Sequence, residues 1–178
     1  LASSLVALFQ QSLDQAPKSS MGLTAQEEQI LQRAIAAGSI SAADYEAAHA
    51  TFEACMTQHG VDDPWKKGVD GVYYPQGIDS TKVSFTSAQL SAARDVCEPE
   101  DYWVQSLYTV QQSNPDLYSD QREAAVVCLR RGGLVDASYT VDQFAADQAA
   151  LTFPFDVYDP VANACLAGAG YLYVRLGD

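Results

Sequence analysis

Four cysteines, Cys55, Cys97, Cys128 and Cys165, restrict most strongly what this chain can fold into. They are widely spaced, and no two make the Cys-x-x-Cys pair of a zinc knuckle or a thioredoxin-like redox site. The two histidines, His49 and His59, are too few and too scattered to complete a Cys/His zinc site, so no metal or other cofactor is expected. An even cysteine count in a Lys-poor, Tyr-rich, acidic chain predicts two disulfides and an extracytoplasmic, oxidising compartment. Four buried thiols in a cytosolic core are the alternative.

The cysteines also sit in a repeated frame. Phe52-Glu-Ala-Cys55-Met-Thr-Gln-His-Gly60-Val61 parallels Ala125-Val-Val-Cys128-Leu-Arg-Arg-Gly-Gly133-Leu134. In each, a Cys late in a helix is followed by an apolar residue and, five positions on, by Gly. A polar, strand-like interlude then leads to a second Cys, within Asp95-Val-Cys97 or Asn163-Ala-Cys165. If the halves are copies, the ancestral unit held one internal bridge, and the pairing is Cys55–Cys97 with Cys128–Cys165. Closing such a loop of about 40 residues adds roughly 3–4 kcal/mol in the chain-entropy model. The rival pairing, Cys55–Cys128 with Cys97–Cys165, would staple the halves together.

Apolar periodicity and capping signals predict a mainly α fold with a few short strands. A first helix over 3–16 stops before Pro17. Thr24 with Glu27 forms a capping box for a helix bearing Ile30, Leu31, Ala34 and Ile35, which Gly38 ends. Ser41 caps the next, whose stripe is Tyr45, Ala48, Phe52, Cys55 and Met56, up to Gly60. Thr86 with Gln89 opens a helix carrying Leu90, Ala93 and Cys97 inward, and Glu98–Asp101 starts one with Trp103, Leu107 and Val110. Further helices cover 119–131, with Ala124, Val127 and Cys128 on one face, and the stretch after Thr140 and Gln143, with Val141, Phe144, Ala145 and Leu151. A short one begins at Asp159–Pro160. Strands are expected at Gly71–Gln76, Lys82–Phe85 and Tyr171–Leu176. The reading is one domain over 1–178: an N-terminal helix 1–22, a first half 23–115 and a second half 116–178.

Composition excludes several functions. With 23 acidic against 10 basic residues and a net charge of -13, the chain lacks the clustered Lys and Arg of a nucleic-acid binder. Anionic lipid headgroups would repel it, and no apolar run reaches the roughly 20 residues of a membrane span. Leu1–Phe9 is apolar but leads into Gln10, Gln11 and Asp14, an amphipathic helix rather than a signal peptide; a removed targeting segment is the expectation.

The run Ile35-Ala-Ala-Gly38-Ser-Ile40-Ser-Ala-Ala-Asp44-Tyr45-Glu-Ala-Ala, followed by Cys55 and Gly60, resembles actinobacterial cell-envelope proteins of the predicted-lipoprotein type. The resemblance covers about residues 24–133: a helix pair, a Cys-x-x-x-x-Gly segment and later paired cysteines. It implies an exported, anchored ectodomain and carries over no catalytic residue; an envelope protein is the partner expected. The chain shows no lipobox cysteine.

No catalytic constellation emerges from the residues themselves. Neither His49 nor His59 accompanies a G-x-S-x-G elbow or a reactive-Cys signature. His49 reads as a partly buried structural residue and His59 as a helix C-cap. Asp62/Asp63, Glu98/Glu100/Asp101 and Asp156/Asp159 are carboxylate groupings whose simpler roles are caps and solvated faces. Asp62–Asp70 lacks calcium-loop spacing, and Gly132–Gly133 and Ala167–Gly170 lack a phosphate-loop lysine. Aromatics in the interludes are the remaining signal: Trp65, Tyr73 and Tyr74 in the first half, and Phe153, Phe155 and Tyr158 in the second. They form either a binding surface or plugs between helices. The leading expectation is a non-catalytic envelope domain that binds a protein partner. A glycan- or peptide-binding module is the alternative, and a carboxylate-based hydrolase trails both.

Overall fold

The computed structural model describes residues 2–79 and 81–173. Eight α-helices lie among the described residues: α1 (Leu5–Gln15), α2 (Ala25–Ala37), α3 (Ala42–Gln58), α4 (Ser87–Cys97), α5 (Tyr102–Ser113), α6 (Gln121–Arg131), α7 (Val141–Ala150) and α8 (Pro160–Gly168). Capping chemistry sets their starts. Reciprocal capping boxes form at Thr24/Glu27, Thr86/Gln89 and Thr140/Gln143, and Asp159 accepts from Val161 N and Ala162 N ahead of Pro160. Glu98–Glu100, expected to open a helix, instead makes a separate 3₁₀ turn before α5.

Both disulfides join the predicted partners, Cys55 to Cys97 and Cys128 to Cys165. The two helix ends that carry the leading cysteines close alike. Val61 N donates to Met56 O and Leu134 N to Leu129 O, both at 3.0 Å. The residue before each donor is Gly60 (φ +74°) or Gly133 (φ +71°), left-handed positions where a Cβ would strain the turn.

The interludes then diverge. Residues 65–75 fold into an antiparallel hairpin of β1 (Trp65–Lys67) and β2 (Tyr73–Pro75), in register Trp65↔Pro75, Lys66↔Tyr74 and Lys67↔Tyr73. One expected strand is thus present within Gly71–Gln76. Its partner comes from the polar stretch before it rather than from Lys82–Phe85, which forms turns and the entry to α4. Phe85 is buried there beside Phe52, Met56 and Ala93, with Val83 packed against the same cluster. The second interlude holds α7 and no strand; Tyr171–Tyr173 is irregular, and the remainder of the expected strand Tyr171–Leu176 lies outside the described residues.

Three apolar clusters make the core. The largest gathers Phe9, Ile30, Leu31, Tyr45, Val104 and Leu107 from α1, α2, α3 and α5, together with Val72 and Tyr74 of the hairpin segment and Ala164 of α8. A second joins α6, α7 and α8 through Val126, Leu129, Phe144 and Leu166. In α6 the buried face is therefore Ala124, Ala125, Val126 and Leu129, with Val127 and Cys128 only half-buried. Leu151, expected inside, is 73% exposed, because it caps α7 in the left-handed region. α5 and α8 meet closely: a Cβ on Gly168 would lie 2.2 Å from Ser113 Cβ, so only glycine fits. Among the described residues, no helix is long and apolar enough to cross a membrane.

Candidate binding cleft

Strand alternation sorts the first-half aromatics onto opposite faces of the hairpin. Lys66 and Tyr74, cross-strand partners, face a cleft; Trp65 and Tyr73 face α3. The adjacent pair Tyr73–Tyr74 is thereby split.

On the α3 side, Tyr73 stacks on His49 with centroids 3.8 Å apart and planes 15° apart, while Trp65 meets His49 and Phe52 edge-on. His49 is 2% exposed, more buried than its position beside the stripe suggested. Its Nδ1 lies 3.4 Å from Asp101 Oδ2, and Nε2 lies 3.5 Å from Glu53 Oε1 without a hydrogen bond. Burial raises the Asp101 carboxyl above its ordinary range, opposed by His49. The Tyr45 hydroxyl donates to Gln105 Oε1 at 2.5 Å and accepts from Tyr73 N at 2.8 Å. This aromatic group is interior packing with its polar atoms largely paired.

The cleft has a volume of about 450 Å³ and lies between the hairpin and the start of α8. Lys66, Tyr74 and Gln76 line one wall; Tyr158, Asn163 and Tyr173 line the other. Tyr74 is anchored at its base, where its hydroxyl donates to Asp70 Oδ2 at 2.6 Å. Burial and that carboxylate push the Tyr74 phenol well above its ordinary range, so it stays protonated. Asn163 Nδ2 donates to Tyr173 O at 2.9 Å and holds the far wall to α8. Three exposed apolar side chains also line the cleft: Val69 (65% exposed), Leu172 (49%) and Tyr158 (42%).

Electrostatically the cleft departs from the rest of the chain. No carboxylate is among its described lining residues, although the chain carries 23 acidic residues and Asp70 is bonded to the Tyr74 hydroxyl behind the wall. Lys66 and Lys67 both border it. The Lys67 ammonium pairs with Glu46 on α3, leaving Lys66 without an ion-pair partner among the described residues.

No protein-family model, curated protein or solved structure matches this chain. The chemistry is therefore weighed residue by residue.

Of the six aromatics singled out in sequence, the structure brings Tyr74 and Tyr158 together in the cleft. Phe153 and Phe155 pack on each other at 5.2 Å, and Phe153 on Phe144 at 5.7 Å, as part of the second core. Sequence reasoning missed Lys66, Val69, Leu172 and Tyr173; the adjacent pair Lys66–Lys67 in a chain so poor in lysine was the available signal.

The buried carboxylates have structural roles. Asp63 is buried and accepts two bonds from Arg94, at 2.9 and 2.7 Å. Glu27, fully buried, accepts from Trp103 N at 2.8 Å, Val104 N at 3.4 Å and Thr24 N at 3.3 Å, serving the starts of α2 and α5 together. Burial raises its carboxyl above the ordinary range against those three bonds. Neither Glu27 nor Asp101 lines the cleft. Around the first bridge, His59, the exposed C-cap of α3, stands with Cys55 and Cys97 so that one ligand atom of each lies within 4.8 Å of the others. His59 is thus less scattered from the cysteines than the sequence suggested.

Proposed function

We propose that this chain is a non-catalytic extracytoplasmic domain of the cell envelope that binds an extended segment of a partner protein in the cleft between the hairpin and α8. The observation that carries the reading is the convergence of Val69, Tyr158 and Leu172, exposed apolar groups from distant parts of the chain, around one cleft. Exposed apolar surface gathered in a concavity marks a binding site better than the same residues scattered. The two aliphatic groups on the rim, Val69 and Leu172, favour peptide side chains, since sugars dock on flat aromatic faces. Lys66, with no carboxylate among the described lining residues, favours a segment carrying Asp, Glu or a free C-terminus. The disulfides fit an oxidising compartment, and the resemblance to envelope proteins supplies the more specific location.

Display of random 12-residue peptides tests the proposal. Enriched sequences should place an acidic residue among apolar ones and lose at least tenfold in affinity against Lys66→Glu or Tyr158→Ala. Enrichment unaffected by both substitutions overturns the cleft assignment. The glycan reading draws on Tyr74, Tyr158 and Tyr173; neutral oligosaccharides bound through Tyr158, with peptides ignored, would establish it instead.

A further inference from the structure

The two disulfides are alike in sequence frame and helix-end geometry but differ in one neighbour. Cys55 is followed four residues on by His59, whereas Cys128 is followed four residues on by Gly132. An i, i+4 pair lies on one face of a helix, so Cys55 and His59 point the same way from the last turn of α3. Cys97, at the end of α4, meets them. Among the described residues, this is the one group of three or more metal-ligating side chains with ligand atoms within reach of a common ion.

We infer that Cys55, Cys97 and His59 form a redox-gated site for a divalent cation of the zinc class, closed while the disulfide stands and open once it is reduced. Tetrahedral zinc, with Zn–S about 2.3 Å and Zn–N about 2.0–2.1 Å, needs ligand atoms separated by roughly 3.5–3.8 Å. The imidazole nitrogen already lies within 4.8 Å of both sulfurs, so small adjustments of the three side chains after reduction reach that spacing. A dithiol supplies the two electrons: it becomes a disulfide, and the protein's S–S bond becomes two thiols. The cation then displaces both thiol protons to solvent and takes the neutral imidazole nitrogen as third ligand, with water completing the tetrahedron. Either oxidation state therefore ties the end of α3 to the end of α4. The second bridge, with Gly132 in place of the imidazole, has no such substitute.

Cobalt(II) serves as the spectroscopic probe. The whole chain, reduced by a phosphine that is oxidised in the dithiol's place, should bind one cobalt with the visible bands of a tetrahedral site and thiolate-to-metal charge transfer. Zinc should displace it. The variant Cys128→Ser/Cys165→Ser should keep that stoichiometry, Cys55→Ser should lose it, and the oxidised protein should bind none. His59→Ala, a change at an exposed cap, should melt like the parent when oxidised yet bind cobalt at least tenfold more weakly when reduced. An octahedral spectrum, unchanged affinity in His59→Ala, or loss of the site in Cys128→Ser/Cys165→Ser would overturn the inference. Coupling of folding to metal binding does not blur the result, because the stoichiometry and spectrum are read either way.

Discussion

The two bridged halves stabilise themselves by different means. Every buried polar or charged side chain among the described residues (Ser12, Glu27, His49, Asp63, Asp101 and Ser113) belongs to residues 12–113. The described residues of 116–173 bury an apolar core centred on Leu129, Phe144 and Leu166, with one phenol, Tyr139, whose hydroxyl donates to Asp147 Oδ2 at 2.7 Å. In the first half, helices that approach through their ends must satisfy backbone N–H groups in the interior. Glu27 does this at the start of α5, and Asp101 and Asp63 are held by His49 and Arg94. In the second half, helix starts face solvent and are capped locally by Asp120, Thr140 and Asp159, so its interior needs no charge. A similar pair of bridges thus frames one interior that buries carboxylates and one that, among the described residues, buries none.

The largest effect is expected in the apolar half. Phe144→Ala should cost up to about 5 kcal/mol, with the loss in urea denaturation equal at neutral and mildly acidic pH. A marked pH dependence would show that charge reaches this core. Removing either bridge as a double Cys→Ser variant should cost about 4 kcal/mol, because loops spanning 42 and 37 residues differ little in closure entropy. Unequal losses, measured by chemical denaturation of the two variants, would place the difference in the folded surroundings of the bridges.

Glu27→Ala should cost about 3 kcal/mol, since it strips an acceptor from three backbone N–H groups, two of them at the start of α5. The sign with pH is distinctive. A carboxyl raised in the folded state contributes stability that is full below its unfolded pKa and is lost as pH rises through the folded value. The gap between parent and Glu27→Ala should therefore widen as pH falls toward about 4.3. Asp44→Asn should behave oppositely. The Arg33 guanidinium, followed by the Ser41 hydroxyl, holds the Asp44 carboxyl below its ordinary range. Its contribution, under about 1 kcal/mol for a solvent-screened pair, is full above the unfolded value near 3.9 and vanishes as pH falls through the depressed one. Thermal melts of parent and variant across acid pH check both slopes; parallel slopes would dissolve the contrast.

The sequence by itself determined the features that are settled within a few residues of one another. Thr24 and Glu27 reach each other's backbone across one helical turn, as do Thr86 with Gln89 and Thr140 with Gln143, so helix starts were legible before any tertiary contact. The repeated Cys-to-Gly frame, joined to the idea of copied units, led to the observed pairing of cysteines. Only the tertiary structure decided which aromatics share a space. Tyr73 and Tyr74 are neighbours in the chain, yet the pleat of β2 sends one to His49 and the other to the cleft. That separation depends on β2 pairing with β1, a polar segment whose strand character comes from its partner rather than from its own composition. Glu27 reads locally as a capping residue, and its second role at Trp103, 76 residues away, exists because the starts of α2 and α5 pack together. The cleft itself joins Val69, Tyr158 and Leu172, which no spacing rule connects, because long-range packing alone brings the hairpin against α8.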